Sequence, residues 1–190
     1  GTYVPEGTQV VWKRGVNLAR HWNECIRTLH GDWLWCLNDD HVWESGTLMR
    51  LLDHDVEVVA PLYAARHSPY PPSVVHGPLS GARGYDWAEL NGTPGLRQLP
   101  LGDMVGHAGM LIRRTVFDKL KDPWFEVGQV ESDSSTLDSW FCHKLAAVGV
   151  PIHVDTSLRL GHLMTLNLIP AENSLGQLRP HFQSLSVMDR

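Results

Sequence analysis

The sequence predicts a single α/β domain in which helices flank a mostly parallel sheet. Strand-like and helix-like patterns alternate along residues 1–65, in the order that βαβαβ units require. The hydrophobic share of 43% and the charged share of 19% are those of ordinary globular proteins, which excludes a disordered or fibrous chain. The length of 190 residues suits one sizeable core and is short for two independent domains.

The first third of the chain is predicted to contain three strands and two helices. Residues 8–12 form a short β-prone run, and apolar residues then recur at helical spacing from Val16 onward. Residues 33–37 are continuously apolar, which is typical of a central strand buried on both faces. Ser45 is expected to cap the second helix, and residues 56–62 are expected to form the next parallel strand.

The remainder begins with an irregular excursion. Residues 66–100 are rich in proline, glycine, histidine and serine, so a long loop that serves a site is expected. The elements predicted after it are a strand, two helices and two short strands, at residues 105–112, 115–120, 135–148, 151–154 and 157–160. Residues 101–162 therefore form the second half of the domain, and residues 163–190 form a tail without strong periodicity.

Charge and cysteine content narrow the choice of partners and compartment. A net charge of −5 and a pI near 6.1 give no general attraction to phosphate backbones, and no basic patch is apparent, so no nucleic acid partner is expected. The longest apolar run, residues 58–65, is far below the roughly 20 residues of a membrane-spanning helix, so no transmembrane segment is expected. Cys25, Cys36 and Cys142 have neither disulfide nor zinc-site spacing, which favours reduced, buried thiols and the cytoplasm.

The most informative motif is the polar run Asn38-Asp39-Asp40-His41, directly after an apolar strand. Ligands of open α/β sheets bind beyond the carboxyl ends of the strands, which is where this run lies. Two adjacent carboxylates and an imidazole suit Mg²⁺ or Mn²⁺ bridging a diphosphate. The same residue types are common in solvated turns, so a turn is the alternative interpretation.

Residues 22–41, WNECIRTLHGDWLWCLNDDH, resemble the GT-A glycosyltransferases, in particular their family-2-like group, in having a helix, a Gly-Asp turn, a strand and an Asp-x-Asp motif in that order. The resemblance covers most of the chain and implies a Rossmann-like GT-A fold. It implies transfer of a sugar from a nucleotide-sugar, UDP- or GDP-linked, to a hydroxyl of a carbohydrate or protein acceptor. Asp40 would then bind the metal and Asp39 would face the donor ribose, while Asn38 departs from the motif and His41 compensates as a ligand.

A second stretch, residues 106–117 with Pro123-Trp124-Phe125, resembles the segment in which such enzymes line the donor-sugar pocket. The donor contacts that this implies are Gly106, Ala108, Gly109 and Trp124. Small residues let a ligand approach the backbone, and an indole offers a flat apolar face to a sugar ring. A bulge at the glycines and a core position for Trp124 are the alternatives, and His107 is expected to be structural.

A third stretch, residues 137–149, resembles the family's Glu-Asp motif, with Leu137 in place of the glutamate. The resemblance implies that Asp138 is the general base if the enzyme inverts, with Glu131 and Asp133 as rivals. If the enzyme retains, Asp138 would orient the acceptor. A carboxylate at a helix start also interacts favourably with the helix dipole, so capping is the alternative role.

His162 follows the last predicted strand, where many members of the family have a late metal-binding histidine. The resemblance therefore implies a metal site made by Asp40, His41 and His162, with a structural histidine as the alternative. In this interpretation residues 1–65 bind nucleotide and metal, and residues 101–162 bind donor and acceptor.

One departure and two other function classes complete the expectations. Family members usually begin with a further strand and helix, and no pattern for this pair is found before residue 8. We therefore expect a minimal enzyme, a trimmed chain, or one completed by a partner or a homo-oligomer. A metal-dependent hydrolase of a sugar or phosphate ester could use the same ligands. A non-catalytic carbohydrate-binding protein on a decayed transferase fold is the third class, prompted by Asn38 and Leu137.

Overall fold

The structure is a computed structural model of the chain. It describes residues 5–15, 17–66, 69–77, 82–90, 94–130, 133–134, 136–164, 166–172 and 178–184, with backbone only at 129–130, 133–134, 166–172 and 178–184. Val16 and Glu131 from the sequence predictions therefore lie outside the described residues, and the side chain of Asp133 does too.

Helices and strands alternate along the described residues. The helices are α1 Leu18–Arg27, α2 Thr47–Asp53, α3 Trp87–Leu90, α4 Arg114–Lys119 and α5 Leu137–Ala147. The strands of the first half are β1 Trp33–Trp35, β2 His41–Val42, β3 Val58–Leu62, β4 Val74–His76, β5 Arg83–Gly84 and β6 Leu96–Gln98. The later strands are β7 Met104–Val105, β8 Leu111–Arg113, β9 Gln129–Val130, β10 Asp133–Ser134, β11 His153–Arg159, β12 Gly161–His162, β13 Leu166–Glu172 and β14 Leu178–Ser184.

The central sheet is mixed, so the prediction of a mostly parallel sheet is wrong. Its five strands lie in the order β1-β8-β3-β11-β6, and only β3 and β11 are parallel neighbours within this described sheet. The reason is that β8 lies between β1 and β3 and is antiparallel to both. The strands β1, β3 and β11 therefore point in the same direction, and their carboxyl ends lie at one end of the sheet.

Several element predictions in the first half need correction. Residues 8–12 form no strand, and Trp12 is exposed. The strand predicted at 33–37 is present as β1, and its residues are half-buried. It is an edge strand of the described sheet, in which it pairs with β8 on one side only. Ser45 does not cap α2, because Gly46 in a left-handed conformation occupies the N-cap position.

The second half follows its predicted helices more closely than its strands. The helices predicted at 115–120 and 135–148 are present as α4 and α5. The strand predicted at 105–112 is divided into β7 and β8, because a turn containing Gly109 at φ +78° separates them. The two short strands predicted after α5 are a single strand, β11, whose pairing with β3 shifts register between Asp155 and Arg159.

Both faces of β3 are covered, which explains why all five of its residues are buried. Successive side chains of a strand point to opposite faces. Val58 and Ala60 belong to the main core, which also contains Phe125 and Phe141 stacked at 4.2 Å between ring centroids. Val59 belongs to a second cluster on the α2 side.

The three cysteines are free thiols, of which Cys36 and Cys142 are buried and Cys25 is half-buried. Burial raises the pKa of Cys142 to about 12, so this thiol is not a nucleophile at neutral pH. Among the described residues, no helix has the length and apolar character needed to cross a membrane.

We expect the fold to lose stability in acid through a buried carboxylate on β11. Asp155 lies 2.8 Å from Nε2 of His54 and accepts the backbone N–H of Ser157, also at 2.8 Å. Burial raises the pKa of Asp155, but the hydrogen bonds from Ser157 and His54 outweigh it and lower the pKa below the ordinary value. A pKa lowered by folding stabilises the native state above the unfolded pKa, and the contribution disappears as the pH falls below about 4.

Asp155→Asn should therefore lower the free energy of unfolding at pH 7 by about 1–3 kcal/mol. It should also make urea unfolding less sensitive to pH between about 5 and 3 than in the wild type. Asp53→Asn, at an exposed position on α2, is the control. If the stability of Asp155→Asn falls in acid as much as that of the wild type, other carboxylates cause the acid dependence.

Candidate functional site

Polar side chains that follow three strands lie at the same end of the central sheet. The chain continues from β1 to Asp40 and His41, from β3 to Tyr63, and from β11 to His162. The short strands β2 and β12 pair there, with His41 opposite His162. The backbone N–H of Leu163 also donates to the carbonyl oxygen of Asp40 at 2.7 Å. Backbone pairing therefore holds two distant parts of the sequence side by side.

Asp40, His41 and His162 form a cluster that could hold a metal ion, and we call these residues the ligand cluster. One candidate ligand atom from each residue lies within 4.8 Å of the others, and no other such group of three occurs among the described residues. The imidazole rings of His41 and His162 stack with centroids 4.2 Å apart. Nε2 of His162 lies 3.5 Å from Oδ2 of Asp40.

Hydrogen bonds at Nδ1 leave the Nε2 atoms of both histidines available. Nδ1 of His162 lies 2.8 Å from the carbonyl oxygen of Ala64, which can only accept, so Nδ1 carries the proton. Nδ1 of His41 lies 2.8 Å from Oδ1 of Asp40. With the proton of a neutral ring on Nδ1, each Nε2 presents a lone pair, as metal-binding histidines require.

Nε2 of His41 supports the fit of a cation to this cluster. The atom is buried and has no hydrogen-bond partner among the described residues. Leaving a buried polar atom unpaired costs about 1–3 kcal/mol, which a bound metal would recover. Burial and the nearby His162 lower the pKa of His41, so its ring is neutral at pH 7 and able to bind a metal. Two imidazoles and one carboxylate favour Mn²⁺ over Mg²⁺, which prefers oxygen ligands.

Arg66 already places a positive charge at the ligand cluster. Its guanidinium nitrogen lies 3.1 Å from Oδ2 of Asp40, and its side chain is half exposed. Burial raises the pKa of Asp40, but the interaction with His41, which hydrogen-bonds to Oδ1, and the charge of Arg66 outweigh it and lower that pKa. Asp40 is therefore ionised at neutral pH, and Arg66 competes with a metal for the same oxygen.

Arg66→Gln should consequently bind Mn²⁺ about two- to fivefold more tightly than the wild type, because exposed ion pairs contribute at most about 1 kcal/mol. Calorimetric titration with Mn²⁺ alone measures this affinity. Arg66→Lys keeps the charge and should resemble the wild type. Weaker Mn²⁺ binding by Arg66→Gln would show that Arg66 supports the cluster instead of competing for it.

Asp138 lies in the first turn of α5 and is half-buried. The helix is capped by Thr136, whose side chain accepts the backbone N–H of Ser139 at 3.3 Å, so the N-cap role does not fall to Asp138. Oδ1 of Asp138 accepts a hydrogen bond from Nδ1 of His107. This carboxylate is therefore held by a side chain from another part of the chain.

Tyr63 connects the ligand cluster to Asp138. Its ring meets His41 and His162 edge to face, at centroid distances of 4.7 and 5.5 Å. Its hydroxyl lies against Gly106, where an added Cβ would be 1.7 Å from the tyrosine oxygen and 3.5 Å from Oδ2 of Asp138. Burial raises the pKa of Tyr63, so the hydroxyl stays protonated and can donate. The position of Tyr63, directly after a predicted strand, could have indicated this role in the sequence.

The predicted donor contacts lie in different surroundings. Gly106 borders Tyr63 and Asp138, and the backbone N–H of Ala108 bonds to the Tyr63 hydroxyl. Gly109 instead packs against Pro61 and Leu160, consistent with a tight turn.

The two remaining residues that were predicted to contact the donor are Trp124 and Asp39. The indole of Trp124 donates to the carbonyl oxygen of Phe117 at 2.8 Å and packs against the main core, which is its alternative role. Asp39 is exposed next to Asp40. Their contacts with a nucleotide-sugar stay predictions.

Comparison with protein-family models finds no family that matches the chain, and comparison with curated proteins finds no match. Function therefore has to be inferred from the residues and geometry of the site.

Proposed function

We propose that the protein is a metal-assisted GT-A glycosyltransferase that moves a sugar from a UDP- or GDP-linked donor to a hydroxyl of a carbohydrate or protein acceptor. The observation that carries the proposal is the ligand cluster, which Tyr63 separates from the carboxylate of Asp138. Within the part of the chain that the structure describes, Nε2 of His41 in this cluster has no hydrogen-bond partner. The ligand cluster can thus bind a diphosphate through a metal, while the carboxylate of Asp138 takes a proton. The motif resemblance over residues 22–41 and 137–149 supports the same reaction class.

The residues of the cluster would hold the cation, and Arg66 would assist at the diphosphate. When bound, a divalent cation supplies positive charge that neutralises the diphosphate and the departing nucleotide. Asp40 contributes one negative charge to this binding, and His41 and His162 contribute neutral nitrogens. Arg66 is half exposed, so its guanidinium can turn from Asp40 to a phosphate oxygen, a pairing to which its planar donors are suited.

Asp138 would act as the general base. Its carboxylate accepts the proton of the acceptor hydroxyl while the acceptor oxygen forms a bond to the anomeric carbon. The bond from that carbon to the phosphate oxygen breaks, and the nucleotide leaves with the electron pair. Attack opposite the leaving group inverts the anomeric configuration. Holding the two substrates in this arrangement supplies much of the remaining rate enhancement.

Titration with a panel of UDP- and GDP-sugars tests the proposal, with tryptophan fluorescence as the signal and calorimetry as confirmation. We expect one donor to bind with Mn²⁺ present and to bind at least about tenfold more weakly with chelator. Asp40→Asn keeps the side-chain shape and should lose the Mn²⁺ dependence, whereas Asp53→Asn on α2 should not. Failure of every nucleotide and nucleotide-sugar to bind with Mn²⁺ would overturn the proposal.

A metal-dependent hydrolase is the second candidate, because two imidazoles and a carboxylate are also a ligand set of hydrolytic metal centres that activate water. The two reactions differ in their need for an acceptor. Release of free sugar at the same rate with and without acceptor would favour the hydrolase, whereas product formation that depends on acceptor concentration supports the transferase.

A further inference from the structure

A chain of hydrogen bonds runs from the core to Asp138. Nε1 of Trp22 lies 3.1 Å from Nε2 of His107, and Nδ1 of His107 contacts Oδ1 of Asp138. An indole N–H can only donate, so Nε2 of His107 has to be the acceptor. The proton of the neutral imidazole is then on Nδ1, from which it is donated to the carboxylate. The partners on both sides therefore specify one tautomer.

The surroundings hold this ring in place. His107 is 4% exposed, and its ring meets Trp22 and Phe125 at centroid distances of 5.4 and 6.1 Å. Close packing against these two rings leaves the imidazole little freedom to turn. Trp22 comes from α1 and Asp138 from α5, so the chain of bonds joins two helices through the turn that carries His107.

The other titratable groups that influence Asp138 are neutral at pH 7. Tyr63 and Cys142 both face it, and burial raises the pKa of each. Cys36 is buried as well, and burial raises its pKa. These three groups therefore stay protonated at neutral pH.

We propose that Trp22 and His107 are positioning residues that hold the carboxylate of Asp138 in one orientation, with Oδ1 occupied and Oδ2 left to take the acceptor proton. The acceptor part of this inference rests on the proposed transferase function. Because Trp22 occupies Nε2, His107 orients the base without taking a proton itself. The order of groups differs from a Ser-His-Asp triad, in which the imidazole is the base and the carboxylate orients it.

Nitrogen NMR of the histidine side chains tests the inference without an activity assay. His107→Asn identifies the His107 signals by their disappearance. We expect His107 to show a protonated Nδ1 and an unprotonated Nε2, as its two hydrogen-bond partners require. In Trp22→Phe the donor to Nε2 is lost, so a signal of the Nε2–H tautomer should appear, whereas Trp87→Phe, which removes an indole bond to the carbonyl oxygen of Tyr70, should leave His107 unchanged. Thermal melting shows whether each variant is folded.

Transfer rates provide the second measurement. Trp22→Phe should reduce the rate about tenfold, with donor affinity unchanged, because an imidazole without its Trp22 partner no longer holds Oδ1 of Asp138 in one position. His107→Asn keeps an N–H near the position of Nδ1 and should retain more activity than His107→Leu, which should lose about a hundredfold.

The two proposals fail in different ways. An Nε2–H tautomer in the wild type, or transfer by Trp22→Phe at the wild-type rate, would overturn the positioning role while leaving the transferase intact. Absence of transfer by a wild-type protein with the expected tautomer would overturn the transferase alone.

Discussion

Asp138→Asn should lower the rate of sugar transfer by about 10²–10⁴-fold, the range that general-base catalysis contributes. Donor and Mn²⁺ affinities should stay within about twofold of the wild type, because the ligand cluster does not include this side chain. The amide keeps the shape of the carboxylate but cannot take a proton at neutral pH. Steady-state rates at saturating donor, together with calorimetric titration of donor, separate the two effects.

Asp122→Asn is the matched control, because Asp122 is an exposed carboxylate paired with Arg27 at 2.7 Å on the surface. Its transfer rate should equal that of the wild type. The anomeric configuration of the product, read by NMR, should be inverted relative to the donor. Full activity of Asp138→Asn with retained configuration would show that no base acts on that side of the sugar.

Gly106→Ala should destabilise the protein by about 3 kcal/mol, the upper part of the range for overpacked positions. A Cβ at this residue would lie 1.7 Å from the Tyr63 hydroxyl oxygen and 2.8 Å from the ring carbon that carries it. Tyr63 contacts His41 and His162, so any movement of its ring also disturbs the ligand cluster. We therefore expect Mn²⁺ affinity to fall along with stability.

A double-mutant cycle separates this clash from a general effect of alanine. Tyr63→Phe removes the hydroxyl, so the pair Gly106→Ala with Tyr63→Phe should be more stable than the sum of the two single changes predicts. Gly84→Ala is the control, since a Cβ there would meet nothing within 4 Å. Urea unfolding gives the free energies, and purely additive values would show that the Tyr63 hydroxyl is not what excludes a side chain at Gly106.

The sequence was most informative about elements that carry their own local pattern. The helices α1, α4 and α5 and the buried strand β3 have apolar spacing that depends on few distant contacts. Strand neighbours were predicted less well. The β8 strand comes late in the sequence but lies between β1 and β3, and no local pattern reveals such an insertion. A prediction of parallel order therefore gave the right directions for β1 and β3 but the wrong partners.

Some residues of the candidate site were predicted from the sequence, and others were not. Asp40, His41 and His162 were predicted together, and the structure brings them together. The roles of Tyr63 and Trp22 depend on side chains that meet across helices and strands, and single residues of these types usually belong to cores. His107 was expected to be structural, and its hydrogen bond to Asp138 is visible only once the turn before β8 is placed against α5.

The ladder of only two residue pairs between β2 and β12 has a consequence for folding. It closes a loop that spans most of the chain. The entropic cost of closing this loop is only partly offset by two residue pairs. A ligand that binds only the closed form stabilises it by RT ln(1 + [L]/Kd), or about 2.7 kcal/mol at a hundredfold excess over Kd. A cation bound here would thus hold β2 and β12 together, and the melting temperature of the protein would rise with the cation concentration.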